Sequence, residues 1–115
     1  MRKFSILLLL FSVNAYALEE LSISWNPPMS RVDGTPLTVE EISHYELYMD
    51  DVLLTDSIQG TETSYIISVS TGSKCFKMKT VDIHARSSPF SNVLCKDIVS
   101  APGAPLSITI DYVGN

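Results

Sequence analysis

The sequence predicts an all-β fold built as an antiparallel sandwich, and three observations support this class. Apolar and polar residues alternate along several short segments, at the period of a strand with one buried face. Turn sequences that contain Gly34, Gly60 and Gly72 separate these segments. Only the stretch TVEEI has a spacing that could start a helical turn, and it is brief. Short strands joined by such turns favour a sandwich over a mixed fold.

The first predicted strand is ELSISWN, in which Leu21, Ile23 and Trp25 alternate with polar residues. The strand period places these three side chains on one face, which we expect to be buried. Pro27 and Pro28 end the strand, because proline cannot donate the backbone hydrogen bond that a sheet requires.

Further strands follow at short intervals. In ISHYELYMDD, Tyr45 and Leu47 share one face. VLLTDSI is predicted as an edge strand, and TSYIISVS places Ile67 on its buried side. Together with the hairpin described next, these strands predict a core that includes six residues: Trp25, Tyr45, Leu47, Ile67, Phe76 and Met78.

The stretch from Lys74 to Asp97 holds both cysteines and has the pattern of a β-hairpin. If its loop is IHARS, Asp82 faces Ser88. The residue numbers of every facing pair in this antiparallel hairpin then add to 170. Cys75 and Cys95 satisfy this sum, so the hairpin brings them within reach of a disulfide. The alternative is a redox or metal-binding pair, but the chain has no CxxC and no cluster of further ligands. We therefore predict a structural bond between these cysteines.

Residues 1–17 have the three-part layout of a secretory signal peptide. Arg2 and Lys3 precede an apolar run, and Ala15 and Ala17 supply the small residues of a cleavage site. A transmembrane anchor is the alternative, but the apolar run is ten residues long, from Phe4 to Val13, and is short of the roughly 20 that a bilayer requires. We expect a secreted or periplasmic protein that has no membrane span after cleavage and that folds where disulfides can form.

The mature chain is predicted to be acidic and to form one domain. Cleavage after Ala17 leaves 98 of the 115 residues and removes Arg2 and Lys3, so 6 basic residues face 13 acidic ones, a net charge of −7. This balance argues against nucleic acid as a partner, because phosphates are bound by basic residues. We place the domain at residues 18–100, and a Pro- and Gly-containing hinge with a strand or tail at residues 101–115.

Residues 21–97 resemble a fibronectin type III domain of the kind found in exported bacterial proteins. The resemblance lies in LSISWNPP, where Trp25 precedes a proline pair, and in ISHYELYMDD, which carries Tyr45. It continues with Val81 and Asp82 before a short loop, and with the Ser-Asn pair at residues 91–92 that opens the last strand. The resemblance implies an immunoglobulin-like sandwich with Trp25 and Tyr45 in its core.

Both ends of the domain depart from the family pattern. Lys74 or Cys75 stands where the family usually has the tyrosine that begins its sixth strand. Residues 18–20 alone precede the LSISW strand in the mature chain, so the first family strand is predicted to be short or missing.

Beyond the last family strand, residues 106–112 form a further strand candidate. Four apolar residues alternate there with polar ones and form a candidate interaction edge: Leu106, Ile108, Ile110 and Tyr112. A strand of this kind needs a sheet edge to pair with. We expect it to pair with its own domain, and the alternatives are self-association with another chain or no pairing.

The sequence lacks the motifs of catalysis and of cofactor binding: it has no GxSxG, phosphate loop, HExxH or dinucleotide fingerprint. His44 and His84 are the only histidines, and we place them on a polar strand face and in the hairpin loop. Asp50 and Asp51, with Asp33, could offer oxygen ligands to calcium, but a turn at MDDV is favoured. We predict no enzyme activity, no cofactor and no metal site.

A small basic stripe is predicted beside the disulfide on an otherwise acidic body: Lys74, Lys77, Lys79 and Lys96. Such a stripe could meet an acidic partner. Exposed lysines on edge strands commonly protect against aggregation, and this second explanation is favoured.

Three classes of function follow from these expectations. The favoured class is an exported, non-enzymatic interaction or adhesion module that binds a protein or assembles at the cell surface. The alternative is a carbohydrate-associated accessory domain of a secreted polysaccharide-degrading system, although the sequence shows no row of exposed aromatic residues. A small enzyme is the least favoured class, because nucleophile, acid–base and metal constellations are missing.

Overall fold

A computed structural model describes residues 18–114 and shows six strands. The signal peptide predicted at residues 1–17 lies outside the described residues. The only helical element in the described range is a 3₁₀ turn at Val39–Glu41, within the TVEEI stretch. None of the helices in this range is long and apolar enough to cross a membrane. The strands, in chain order, are β1 (Glu19–Ser24), β2 (Ile42–Met49), β3 (Val52–Gln59), β4 (Ser64–Val69), β5 (Gly72–Asp82) and β6 (Leu94–Ile98).

The strands form two sheets of unequal width. One sheet has two strands in the order β1-β4, and the other has four strands in the order β3-β2-β5-β6. Every paired strand is antiparallel to its neighbour. The predicted all-β antiparallel class is therefore confirmed. Strand β3 pairs with β2 alone and is the predicted edge strand.

The core lies between the sheets and is centred on β2. Tyr45 and Leu47 are the largest fully buried side chains, and Ile67 and Phe76 pack with them. Trp25 and Met78 also contact this cluster but are only partly buried. The Trp25 and Tyr45 rings pack edge to face with their centroids 5.2 Å apart, which joins the end of the two-stranded sheet to the four-stranded sheet.

Two aspartates make the tight turn between β2 and β3. Asp50 and Asp51 both have positive φ, at 52° and 67°, which a two-residue turn of this hairpin type requires and which Asp tolerates. Asp50 also binds the neighbouring strand: its backbone N–H donates to the carbonyl of Cys75, and its carboxylate accepts from the Cys75 N–H. The MDDV turn predicted from the sequence is thus present.

The hairpin of β5 and β6 carries the predicted disulfide, but one part of the predicted register is wrong. Cys75 and Cys95 face each other and are bonded. At the loop, however, the N–H of Asp82 donates to the carbonyl of Arg86, so Asp82 does not face Ser88. The loop is tighter than expected because the Asp82 carboxylate accepts the N–H groups of His84 and Arg86. The pairing shifts by two residues between the loop and the disulfide.

Serine side chains provide the hydrogen-bond acceptors where the register shifts. The hydroxyl of Ser88 accepts the N–H of Thr80, and the hydroxyl of Ser91 accepts the N–H of Met78. These side chains take positions that a partner strand would fill with carbonyl groups. The last strand consequently begins at Leu94, and the longer strand predicted from SPFSNVLCKD is wrong at its start.

The C-terminal segment does not pair with its own domain. Residues 101–114 contain no strand, and the four apolar residues of the candidate edge are between 79% and 103% exposed. The expected cis pairing is therefore not present in this structure.

Candidate functional site

The unequal width of the two sheets leaves a groove along β1. Neighbouring strands lie about 4.8 Å apart, so a sheet of two strands leaves roughly 10 Å of a four-stranded sheet uncovered. The uncovered part is the inner face of β5 and β6, because the groove is bordered by β1 on one side and by these two strands on the other. Its volume is about 1100 Å³. We call it the β1 groove.

Apolar side chains form the inner surface of the β1 groove. Leu21, Ile23 and Trp25 come from the β1 side, and Phe76 and Leu94 come from the hairpin. Phe76 and Leu94 are direct partners in the hairpin register and therefore lie on the same face of the sheet. The exposed fractions of these neighbours differ greatly, at 8% for Phe76 and 68% for Leu94. The core thus ends between them, and the groove begins at Leu94.

Strand β1 presents an open backbone edge to this groove. The N–H of Trp25 donates to the carbonyl of Thr63, so the peptide groups of odd-numbered β1 residues face β4. Because successive N–H groups of a strand point to opposite edges, those of Ser22 and Ser24 face away from β4. Among the described residues no strand pairs with this edge. An open edge of this kind can accept an added strand.

A charged cluster closes one end of the groove. Asp82 is buried, and its carboxylate accepts hydrogen bonds of 2.9 Å from the guanidinium groups of Arg31 and Arg86. The backbone N–H of Arg86, with those guanidinium groups and the His84 N–H, holds the pKa of Asp82 far below its usual value. Arg31 also lies 3.6 Å from Glu41. The cluster joins three loops and fixes the end of the groove.

Two buried polar atoms beside the groove make no hydrogen bond of good geometry within residues 18–114. They are Nε1 of Trp25 and the hydroxyl oxygen of Tyr45. Burial raises the pKa of the Tyr45 hydroxyl, so this group stays protonated and can donate. A buried polar group without a partner destabilises the fold by about 1 to 3 kcal/mol. Both residues line the groove.

Basic residues are concentrated at the groove. Three of the six Lys and Arg residues of the predicted mature chain border its inner side, whereas only two of the thirteen acidic residues do. The basic ones are Arg31, Arg86 and Lys96, and the acidic ones are Asp33 and Asp82. The groove is therefore richer in basic residues than the rest of this acidic molecule.

The predicted basic stripe is divided between two faces of the hairpin. Lys74 and Lys96 are direct partners and lie on the inner face, two positions from Phe76 and Leu94. Lys77 and Lys79 lie on the outer face, where both ammonium groups lie over the Phe90 ring. Lys77 also contacts Asp51 at 2.7 Å. The prediction of one continuous stripe is wrong because these lysines occupy alternating strand positions.

The remaining candidates from the sequence are dispersed. His44 lies on β2 beside Ser43, and His84 lies in the exposed hairpin loop. Asp33 accepts hydrogen bonds from Thr35 within its own turn. Within residues 18–114 no group of three or more His, Cys, Asp or Glu residues is placed to hold a metal ion.

Sequence reasoning did not identify the groove or its charged end. Arg31 received no role, because nothing in its local pattern indicates that it meets Asp82 across 51 residues. The position of Leu94 could have been predicted. Leu94 and Lys96 flank Cys95 in one strand, so both side chains lie on the face opposite to the disulfide. In comparisons with known proteins, neither the family models nor the curated proteins gave a match to the chain.

Proposed function

We propose that the protein is an exported, non-enzymatic interaction module of the fibronectin type III class that binds an extended segment of a protein in the β1 groove. The observation that carries this proposal is the open edge of β1 beside an uncovered apolar surface. The strand order supports the family resemblance, because a β1-β4 sheet faces a β3-β2-β5-β6 sheet. Such a sandwich without its first strand would have this groove.

The groove suits an extended polypeptide better than a compact ligand. Its length follows β1, whose six residues span about 20 Å at 3.3 Å per residue. The outward backbone groups of Ser22 and Ser24 can bind any added strand, while the apolar wall selects side chains at alternate positions. The surrounding basic residues favour a segment that carries acidic side chains.

A peptide-display selection against the mature chain tests this function. We expect the selected peptides to show alternating apolar residues and at least one acidic residue. A Ser22→Pro variant should weaken their binding by about tenfold or more, because the ring removes an outward N–H and fills the edge. Ser22→Ala is the matched control, since it changes the same side chain and keeps the N–H.

Two results would contradict the proposal. Equal binding by both Ser22 variants would show that the edge of β1 takes no part in recognition. Binding to a glycan array without selection of any peptide would support the carbohydrate-associated alternative. The structure gives no specific observation in favour of that alternative.

A further inference from the structure

We propose that the occupant of the β1 groove is residues 106–112 of a second copy of this chain. This inference rests on the proposed function, because it names the segment that the groove binds. The segment, called here the donor segment, has the sequence LSITIDY.

The donor segment has the pattern that the groove requires. Leu106, Ile108, Ile110 and Tyr112 would lie on one face of a strand, and each is at least 79% exposed. Four large apolar side chains exposed in regular alternation are unusual for a solvated chain end. Seven residues in extended form span about 23 Å, which matches the length of β1. The alternation would direct the apolar face onto the groove and the polar face to solvent.

Charge also favours this pairing. The donor segment carries Asp111 and no basic residue, and it would enter the most basic part of the molecule. Lys96 lines the groove on the inner face of β6, and no ion pair is found for it among the described residues. Asp111 would lie on the solvent face of the added strand, so its charge favours approach to the basic border of the groove and not a contact with Lys96.

Chain direction favours a second copy over the protein's own segment. Ile98 pairs with Gly72, and Glu19 pairs with Val69, so β6 ends at the same end of the molecule where β1 begins. A donor segment that returns from this end would run parallel to β1. Antiparallel pairing is more stable per residue than parallel pairing. Within one chain, however, an antiparallel donor segment would have to start at the far end of β1, so residues 99–105 would have to span the whole length of β1.

The reach of the hinge makes this cis route unfavourable. Seven fully extended residues reach at most about 25 Å, and the length of β1 is about 20 Å before the lateral step between sheets. The prolines at 102 and 105 further restrict the path. A segment from a second copy approaches from either end and has no such restriction. In this structure none of the residues 101–114 lines the groove of its own chain.

Light scattering over a range of protein concentrations tests the inference on the mature full-length chain. We expect association above the monomer, and we expect Ile108→Asp to weaken it by about tenfold or more, because a charge would face the apolar groove. Thr109→Asp is the matched control: it places the same charge one residue further along, on the solvent face, and should leave association nearly unchanged. Circular dichroism checks that all variants are folded.

Complementation provides the sharper experiment. Ser22→Pro has a blocked edge and an intact donor segment, whereas Ile108→Asp has an intact edge and a defective donor segment. Each alone should remain monomeric, and a mixture of the two should associate, because one variant supplies what the other lacks. Association of either variant alone at the level of the unchanged protein would overturn the inference.

The inference would also be overturned if the unchanged protein stays a monomer at every concentration. A monomer whose stability falls in the Ile108→Asp variant would show that the donor segment pairs in cis. The underlying function is tested separately, because the peptides selected above do not depend on the donor segment. If the chain stays monomeric but still binds those peptides in a Ser22-dependent manner, the proposed function stands and this occupant is wrong. If neither association nor peptide binding occurs, both proposals fail.

Discussion

The β2 side and the β6 side of this sandwich differ in how completely the sheets cover each other. On the β2 side, Tyr45 and Leu47 are almost completely buried. On the β6 side, four of the five strand residues are exposed and only Ile98 is buried. Both strands are paired in antiparallel ladders, so hydrogen bonding does not explain the difference. The cause is the missing cover above β6, where the two-stranded sheet ends at β1.

This comparison shows that strand pairing and core burial are separate properties. Strand β6 keeps its place through backbone hydrogen bonds and one disulfide, with little apolar packing. Strand β2 is held by pairing on both edges and by burial of its inner face. The first arrangement leaves a surface for binding, and the second provides the stability that the domain needs. Each prediction below tests this division.

The largest expected effect compares one leucine from each side. Leu47→Ala should lower the free energy of unfolding by about 2 to 5 kcal/mol, because a fully buried side chain leaves a cavity. Leu94→Ala should cost less than about 1 kcal/mol at protein concentrations where the chain is monomeric, since that side chain is mostly exposed. Urea denaturation of both variants measures the difference. Similar losses would mean that Leu94 is covered in solution.

Removing the disulfide should have the next largest effect. Changing both Cys75 and Cys95 to Ser should lower stability by about 3 kcal/mol, as expected for a closed loop of about 20 residues. Hydrogen exchange should show that β6 loses protection before β2 does, because β6 has little packing to replace the bond. Simultaneous loss in both strands would contradict the division between the two sides. Mass spectrometry without reductant should find no free thiol in the unchanged protein.

The charged end of the groove predicts a dependence of stability on pH. Hydrogen bonds lower the pKa of Asp82 in the folded state below its usual value of about 3.9, so its stabilising contribution is present above that value. This contribution is lost as the pH falls below about 4 toward the folded-state pKa. Asp82→Asn should therefore flatten the acid side of a plot of melting temperature against pH. Asp56→Asn, an exposed change on β3, is the control and should keep the slope.

The smallest expected effect concerns the boundary between the two sides. Tyr45→Phe removes a buried hydroxyl that makes no hydrogen bond of good geometry within the described residues, so it should raise stability by about 1 kcal/mol. Calorimetry of the two proteins measures this change. A loss of stability would show that the hydroxyl has a partner in solution. The ring packing on Trp25 is kept in the variant, which limits the change to one polar atom.

The sequence was informative wherever neighbouring residues decide the structure. Alternation identified β1 and β2, and two aspartates identified the turn between β2 and β3. The cysteine pairing was predicted correctly, although the register from which it was predicted holds at the disulfide and not at the loop. These features depend on strand period and turn chemistry, which act over a few residues.

Features that depend on distant contacts were not predictable in the same way. The shift of register near Ser88 arises because side-chain hydroxyls replace backbone partners, which no alternation pattern reveals. The β1 groove exists because one sheet has two strands and the other has four. The number of strands in each sheet depends on all strand pairings together. The donor segment was recognised as a strand candidate, but its partner is a question of chain direction and hinge length.

The sparse packing of β6 connects the groove to the redox state of its surroundings. The Cys75–Cys95 bond lies near the middle of this strand, next to Leu94 and Lys96 on the groove side. A newly made chain in a reducing compartment lacks the bond, so the floor of the groove would not yet be held in place. For an exported chain, oxidation would then complete the binding surface only after translocation.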